Sequence, residues 1–181
     1  MTVRRLRALA PRMRRGLGAL SLLAAPVAAL SLAAAPTAGA ATPACRTGGL
    51  VVWMDTQGNG TAGTIFYTLN FTNLSGHACT LRGFPGVSAV NLGGQRLGRA
   101  AARDTGQTVR TITLTAGHTA HATLGIVDIS ALPRASCRPS TAAGLRVFPP
   151  NQTASKVIPF PFPACGGTGG FTFLRIRPVT R

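Results

Sequence analysis

The chain has 181 residues with 19 Lys and Arg, three Asp and no Glu, for a formal charge of +16, so carboxylate chemistry has little to draw on. Paired carboxylates for glycoside cleavage would have to come from Asp55, Asp104 and Asp128 alone. No Gly-x-Ser-x-Gly elbow offers a hydrolase nucleophile.

The N-terminus carries Arg4, Arg5, Arg7, Arg12, Arg14 and Arg15, and then no charged residue occurs from Gly16 to Ala44. The stretch 17–35 is rich in Ala and Leu, and Ala38-Gly39-Ala40 supplies the small residues a signal peptidase accepts. Residues 1–40 are therefore predicted to be a secretory signal peptide cleaved after Ala40. The segment exceeds the usual ~15 to 30 residues, and Arg14-Arg15-Gly16-Leu17 resembles a loose twin-arginine signal, so both the Sec and the twin-arginine routes stay open. An uncleaved membrane anchor is the competing reading, because the apolar run approaches the ~20 residues that span a bilayer. Pro26 and the Ala-dominated composition count against it. Thr42-Pro43-Ala44 ahead of Cys45 is not a lipobox. The mature part, residues 41–181, is expected to be one secreted domain of the cell envelope, with 13 basic residues against three Asp and a net charge of +10.

Within it the working period is two. Leu50, Val52 and Met54 share one face of a first strand, and Ile65, Tyr67, Leu69 and Phe71 one face of a second. Shorter β-like runs cover 87–92 and 109–114, followed by the alternation Ala120, Ala122, Leu124, Ile126 and by runs at 145–148 and 171–176. Turn-forming pieces separate them: Gln57-Gly58-Asn59-Gly60, Gly83-Phe84-Pro85-Gly86, Gly93-Gly94, Ala116-Gly117, Pro149-Pro150 and Gly166-Gly167. No helix is predicted. About seven short strands at this spacing predict an all-β antiparallel sandwich, with Trp53 and Phe71 in its core. Loops are expected at 98–107, 130–143 and 149–163. In the last, Ile158-Pro159-Phe160-Pro161-Phe162-Pro163 removes alternate backbone donors and excludes a central strand. It reads as an extended loop whose Phe rings tuck against the sandwich, with a polyproline-type ligand segment as the alternative.

The four cysteines, Cys45, Cys79, Cys137 and Cys165, all follow the predicted cut and read as two disulfides. Separations of 34, 58 and 28 residues are unlike the close pairs of a zinc site. Three pairings are open to the sequence. Cys45 with Cys79 is preferred because the turn at 57–60 brings the chain back toward its start. Cys137 with Cys165 is preferred because they enclose the 145–148 strand and the proline-rich segment.

Several of these features occur together in one known family. Cys45 precedes a first strand. Thr72-Asn73-Leu74-Ser75 leads into Cys79-Thr80-Leu81-Arg82-Gly83-Phe84-Pro85-Gly86-Val87, and Thr115-Ala116-Gly117 precedes an Ala-rich strand before Cys137 and Cys165. This pattern resembles domain of unknown function 4232 (DUF4232) over most of residues 45–178. The block 73–87 is its most specific part. What the resemblance implies is an exported actinobacterial domain with an immunoglobulin-like sandwich, no assigned activity and no catalytic residues. Many members are lipoproteins, and this chain lacks their lipobox.

Candidate chemistry is thin elsewhere. His118-x-x-His121 would point to opposite faces of a strand unless His118 lies in the turn after Gly117, and His77 falls in the loop before Cys79. Met54 is the only Met of the mature part, which removes a thioether-rich copper site. No metal and no cofactor are expected, and no catalytic residue is assigned. Arginine is the informative excess. Arg96, Arg99, Arg103 and Arg110 fall in one loop-and-strand region and are assigned as an anion-binding surface, while Arg175 and Arg177 are expected to share a strand face with Phe171 and Phe173. Arg beside aromatic rings can stack on bases, but export argues against nucleic acid as the main partner. The expected role is a non-enzymatic binding or scaffolding domain. Its partner would be an anionic cell-envelope polymer or an envelope protein, with membrane head groups offering the same attraction. An unrecognised cell-wall hydrolase is the alternative, and a small-ligand carrier would need a deep apolar pocket.

Overall fold

A computed structural model describes residue 39 and residues 41–166 and 171–181, so all of the predicted signal except Gly39 lies outside the described residues. The remainder folds as two packed sheets and a small third one. The first sheet runs, in spatial order, β1 (Leu50–Met54), β3 (Thr64–Asn73), β9 (Thr119–Val127), β12 (Leu174–Ile176) and β7 (Ala102–Arg103), with β2 (Asn59–Thr61) also paired to β3. The second runs β11 (Lys156–Cys165), β10 (Pro139–Phe148), β5 (Gly86–Val90), β6 (Arg96–Leu97). The third pairs β4 (Cys79–Arg82) with β8 (Thr111–Leu114). All pairings between these strands are antiparallel except the short parallel contact of β7 with β12.

The connectivity follows the immunoglobulin plan. In chain order β1, β3, β5, β6, β9, β10 and β11 occupy the places of strands A, B, C, C′, E, F and G, so that A-B-E and G-F-C-C′ are neighbours. The C-terminal β12 stands beside β9 where that plan has strand D. Alternation produces the core. Leu69 and Phe71 on β3 face inward opposite Ala122 and Ala120 on β9, and the small partners make room for the ring. From the other sheet Val87, Ala89, Leu145 and Val147 close the sandwich.

Two disulfides bind its margins. Cys45–Cys79 ties the segment before β1 to β4, where Cys45 N–H also donates to the Thr80 carbonyl at 2.9 Å. Cys137–Cys165 joins the start of β10 to the end of β11, and Pro139 stands opposite Cys165 in the register. These are the preferred pairs of the sequence reading, and neither links the two sheets across the core as the B–F bond of antibody domains does.

The proline-rich segment is not a loop. Residues 156–165 form β11, an edge strand paired only with β10. Ile158, Phe162 and Ala164 are buried while Pro159, Pro161 and Pro163 are exposed, so the run obeys a period of two with every proline on the outer face. An edge strand has a row of ladder positions with no neighbour to serve, and prolines are tolerated there. The register shifts between Ala142 and Gly144, where a side chain on residue 144 would collide with the Ile158 carbonyl. The rings tuck in as expected: Phe160 meets Tyr67 of the opposite sheet edge-on at 5.1 Å between centroids, and Phe162 lies 6.4 Å from Phe173.

Other expectations are corrected. The segment 130–143 contains a four-residue helix, Arg134–Cys137, and the first residues of β10, and 98–107 contains β7. The turn expected at 57–60 gives way to β2, and the chain reverses at Ala62 and Gly63, both with positive φ of 45° and 75°. Two left-handed residues in succession are what a tight hairpin needs to match strand twist. Trp53 is not in the core: it is 42% exposed. Leu50 and Met54 take the inward positions of β1, an edge strand, which leaves Val51 and Trp53 outside. The indole N–H donates to Thr72 Oγ1 at 3.1 Å. Trp53→Ala is therefore expected to cost about 1 kcal/mol or less by chemical denaturation, against ~3 to 5 kcal/mol for a buried aromatic.

Candidate anion-binding groove

On β10 the residues Leu145 and Val147 turn to the core, so Arg146 and Phe148 must turn outward. Ser88 of β5 stands directly opposite Arg146, and Arg96 of β6 stands opposite Val90. The second sheet thus carries two arginines on its outer face, one on a central strand and one on the edge. Between them lies a groove of about 700 Å³ lined by Ser88, Gln95, Arg96, Ser140, Arg146 and Phe148 among others.

Arg146 is held in place. Its Nη2 donates to the Gly94 carbonyl at 2.7 Å. That carbonyl belongs to the β5–β6 turn, where Asn91 Oδ1 accepts from Gln95 N–H at 2.9 Å and Gly94 N–H donates to the Asn91 carbonyl at 2.9 Å. Gly94 adopts φ of +73°, a conformation that favours glycine. Phe148 packs beside Gly86, where a Cβ would meet the Phe148 Cβ at 3.4 Å and its ring at 3.5 Å.

No carboxylate lines this groove. Among the described residues the one ion pair is Arg177 with Asp104 at 3.2 Å, and Arg177 also lies over the Phe66 ring at 5.8 Å. Asp128 caps the turn after β9: the Ser130 backbone N–H donates to it at 2.9 Å and holds its carboxyl below the usual carboxylate range. Asp55 is half-buried just after β1.

Arg96, Arg99, Arg103 and Arg110 are all exposed and stand on different elements. Arg96 belongs to the second sheet. Arg103 belongs to β7 of the first, with its guanidinium 5.7 Å from the Phe84 ring. Arg99 and Arg110 lie in connecting segments. Arg146, the second arginine of the groove, escaped the sequence reading. Its signal was an Arg between the inward-facing Leu145 and Val147. Of the expected face shared by Arg175, Arg177, Phe171 and Phe173, only Phe173 is displaced: Phe171, Arg175 and Arg177 are exposed, whereas Phe173 is fully buried, as is Leu174, so the alternation slips before β12.

The histidines serve local geometry. His118 lies in the turn after Gly117 and its Nδ1 is 2.7 Å from Thr115 Oγ1. His121 stands opposite Asn70 in the β3–β9 register and pairs its backbone with Thr180. His77 is exposed, and its carbonyl accepts from Asn73 Nδ2 at 2.8 Å. Asn73 itself is wholly buried and is the joint of this end of the molecule. Nδ2 also donates to the Leu114 carbonyl at 3.0 Å, and Oδ1 accepts from the Ser75 N–H and hydroxyl at 3.0 and 2.7 Å. The block from Asn73 to Val87 is therefore explained by structure: an asparagine joint, a disulfide at Cys79, Leu81 in the core, and Gly86 beside Phe148.

Strand order, disulfides and outer-face arginines together define a basic, disulfide-bonded, immunoglobulin-like β-sandwich. The chain belongs to the family described as a domain of unknown function (DUF4232), whose model matches residues 45–180. No curated protein and no solved structure matches it.

Proposed function

We propose that this protein is an exported, non-enzymatic binding or scaffolding domain of the cell envelope whose basic surface holds an anionic polymer or an acidic envelope protein. The observation that carries this reading is the charge imbalance. Thirteen basic residues within 41–181 face only three Asp, for a net charge of +10, and one of those Asp makes the single ion pair among the described residues. Most guanidinium groups are thus left to solvent or to an external anion, and a surface of one sign attracts polyanions over a long range. The two disulfides are compatible with a place outside the cytoplasm, and the basic, then apolar N-terminus supports export.

The test is binding of residues 41–181 to purified teichoic-type polymer and to anionic phospholipid vesicles. Replacing Arg96, Arg99, Arg103 and Arg110 together by Gln is expected to weaken binding about tenfold or more, since a cation near an anionic surface contributes about 1 kcal/mol. The thermal transition should stay unchanged, because all four side chains are exposed. Unchanged binding by the fourfold variant would count against the proposal.

A further inference from the structure

We propose that the groove on the outer face of the β11-β10-β5-β6 sheet is the principal contact for an oxyanion carried on a saccharide chain, with Arg96 and Arg146 holding the anion and Phe148 supporting the sugar ring. This inference rests on the reading of the domain as a polyanion binder and assigns that binding to one place. Arg146 is half-buried and already tethered through Nη2 to the Gly94 carbonyl, so little side-chain freedom is lost when its remaining donors engage a ligand. Exposed arginines such as Arg99 and Arg110 have no such preparation. No carboxylate lies in the groove to compete for the two guanidinium groups, and their planar forks donate in pairs to phosphate or carboxylate oxygens.

The rest of the lining fits a sugar better than a base. Ser88, Ser140 and Gln95 supply hydroxyl and amide groups for ring hydroxyls, and Phe148 supplies one apolar face packed beside Gly86. Single-stranded nucleic acid is held by successive aromatic platforms, one for each of several bases, and this groove has a single ring. Phosphate and carboxylate are the two forms of oxyanion that a wall polymer presents, and the guanidinium forks accept both.

The experiment is a titration of residues 41–181 at low salt with a sugar phosphate polymer, poly(N-acetylglucosamine 1-phosphate), with polyglucuronate and with a single-stranded oligonucleotide. Arg96→Gln with Arg146→Gln is compared with Arg99→Gln with Arg110→Gln, which removes the same formal charge from exposed segments. The groove pair is expected to lose at least tenfold more affinity for one or both polymers than the exposed pair does. The polymer that shows the larger loss identifies the oxyanion. Equal losses in the two pairs overturn the groove while leaving the polyanion reading intact. No binding of either polymer by the wild type overturns both. Tighter binding of the oligonucleotide than of either polymer overturns the saccharide. Arg96→Gln alone and Arg146→Lys, which keeps the charge but not the fork, cover the case in which Arg146→Gln does not fold, and each should still lose more than threefold.

Discussion

Asn73→Ala is expected to lower the unfolding free energy by about 3 kcal/mol, because a buried carbonyl that loses its donor costs about 1 to 3 kcal/mol and several partners are lost at once. Asn73 is completely buried and its side chain makes four hydrogen bonds, to the Leu114 and His77 carbonyls and from the N–H and hydroxyl of Ser75. Its backbone is engaged as well, with its N–H on the His118 carbonyl at 2.9 Å and its carbonyl receiving Gly117 N–H at 2.7 Å. One residue thus joins the end of β3 to the following loop, to β8 and to the β8–β9 turn. The Ala variant keeps the backbone bonds and takes away the amide that the Leu114 and His77 carbonyls accept from and that the Ser75 N–H and hydroxyl donate to. Urea denaturation of wild type and variant measures the difference, and a loss below about 1 kcal/mol would contradict the assignment of Asn73 as a structural joint.

Removing the Cys137–Cys165 bridge by a double Ala substitution should cost about 3 to 4 kcal/mol, the loop entropy released to the unfolded chain by opening a closure of 28 residues. The bond sits where β10 and β11 begin and end together, so its loss also frees the margin of the edge strand that carries Phe160 and Phe162. Cys45–Cys79 closes 34 residues and should contribute a similar amount. Small domains are typically stable by only about 5 to 15 kcal/mol, so loss of both bridges should leave little folded protein. Thermal unfolding of the wild type with and without reductant, beside the two double mutants, reads the effect. A transition indifferent to reductant would contradict it.

How much of this was visible in the sequence depends on strand length and on which face is buried. β1, β3 and β9 are long enough for alternation to show, and their inward residues Leu50, Leu69, Phe71, Ala120, Ala122 and Leu124 mark the core directly. β6 and β7 have two residues each, too few for any period. β11 was hidden because its prolines read as breakers, although they all fall on the outer face of an edge strand. Trp53 was misplaced by its size: apolar bulk favours burial, but its position in the alternation of β1 put it outside with Val51.

The groove was the least legible feature. Arg96 was named as a candidate and Arg146 was not, since they come from strands far apart in the chain and share a face only because β5 stands between β6 and β10. No local pattern encodes that register. The most family-specific block, Asn73 to Val87, was legible as a motif and proved to build the fold, with Gly86 lying beside Phe148 at the groove.

The central claim is that a basic exported sandwich holds an anionic envelope partner through charge. Its most direct test is the affinity of residues 41–181 for a purified anionic wall polymer as salt is raised, because the screening length contracts from ~30 Å at 0.01 M to ~8 Å at physiological ionic strength. The account predicts a steep, continuous fall in affinity across that range and negligible binding to a neutral glycan of the same length. Affinity that is indifferent to salt, or equal for the neutral glycan, would contradict it.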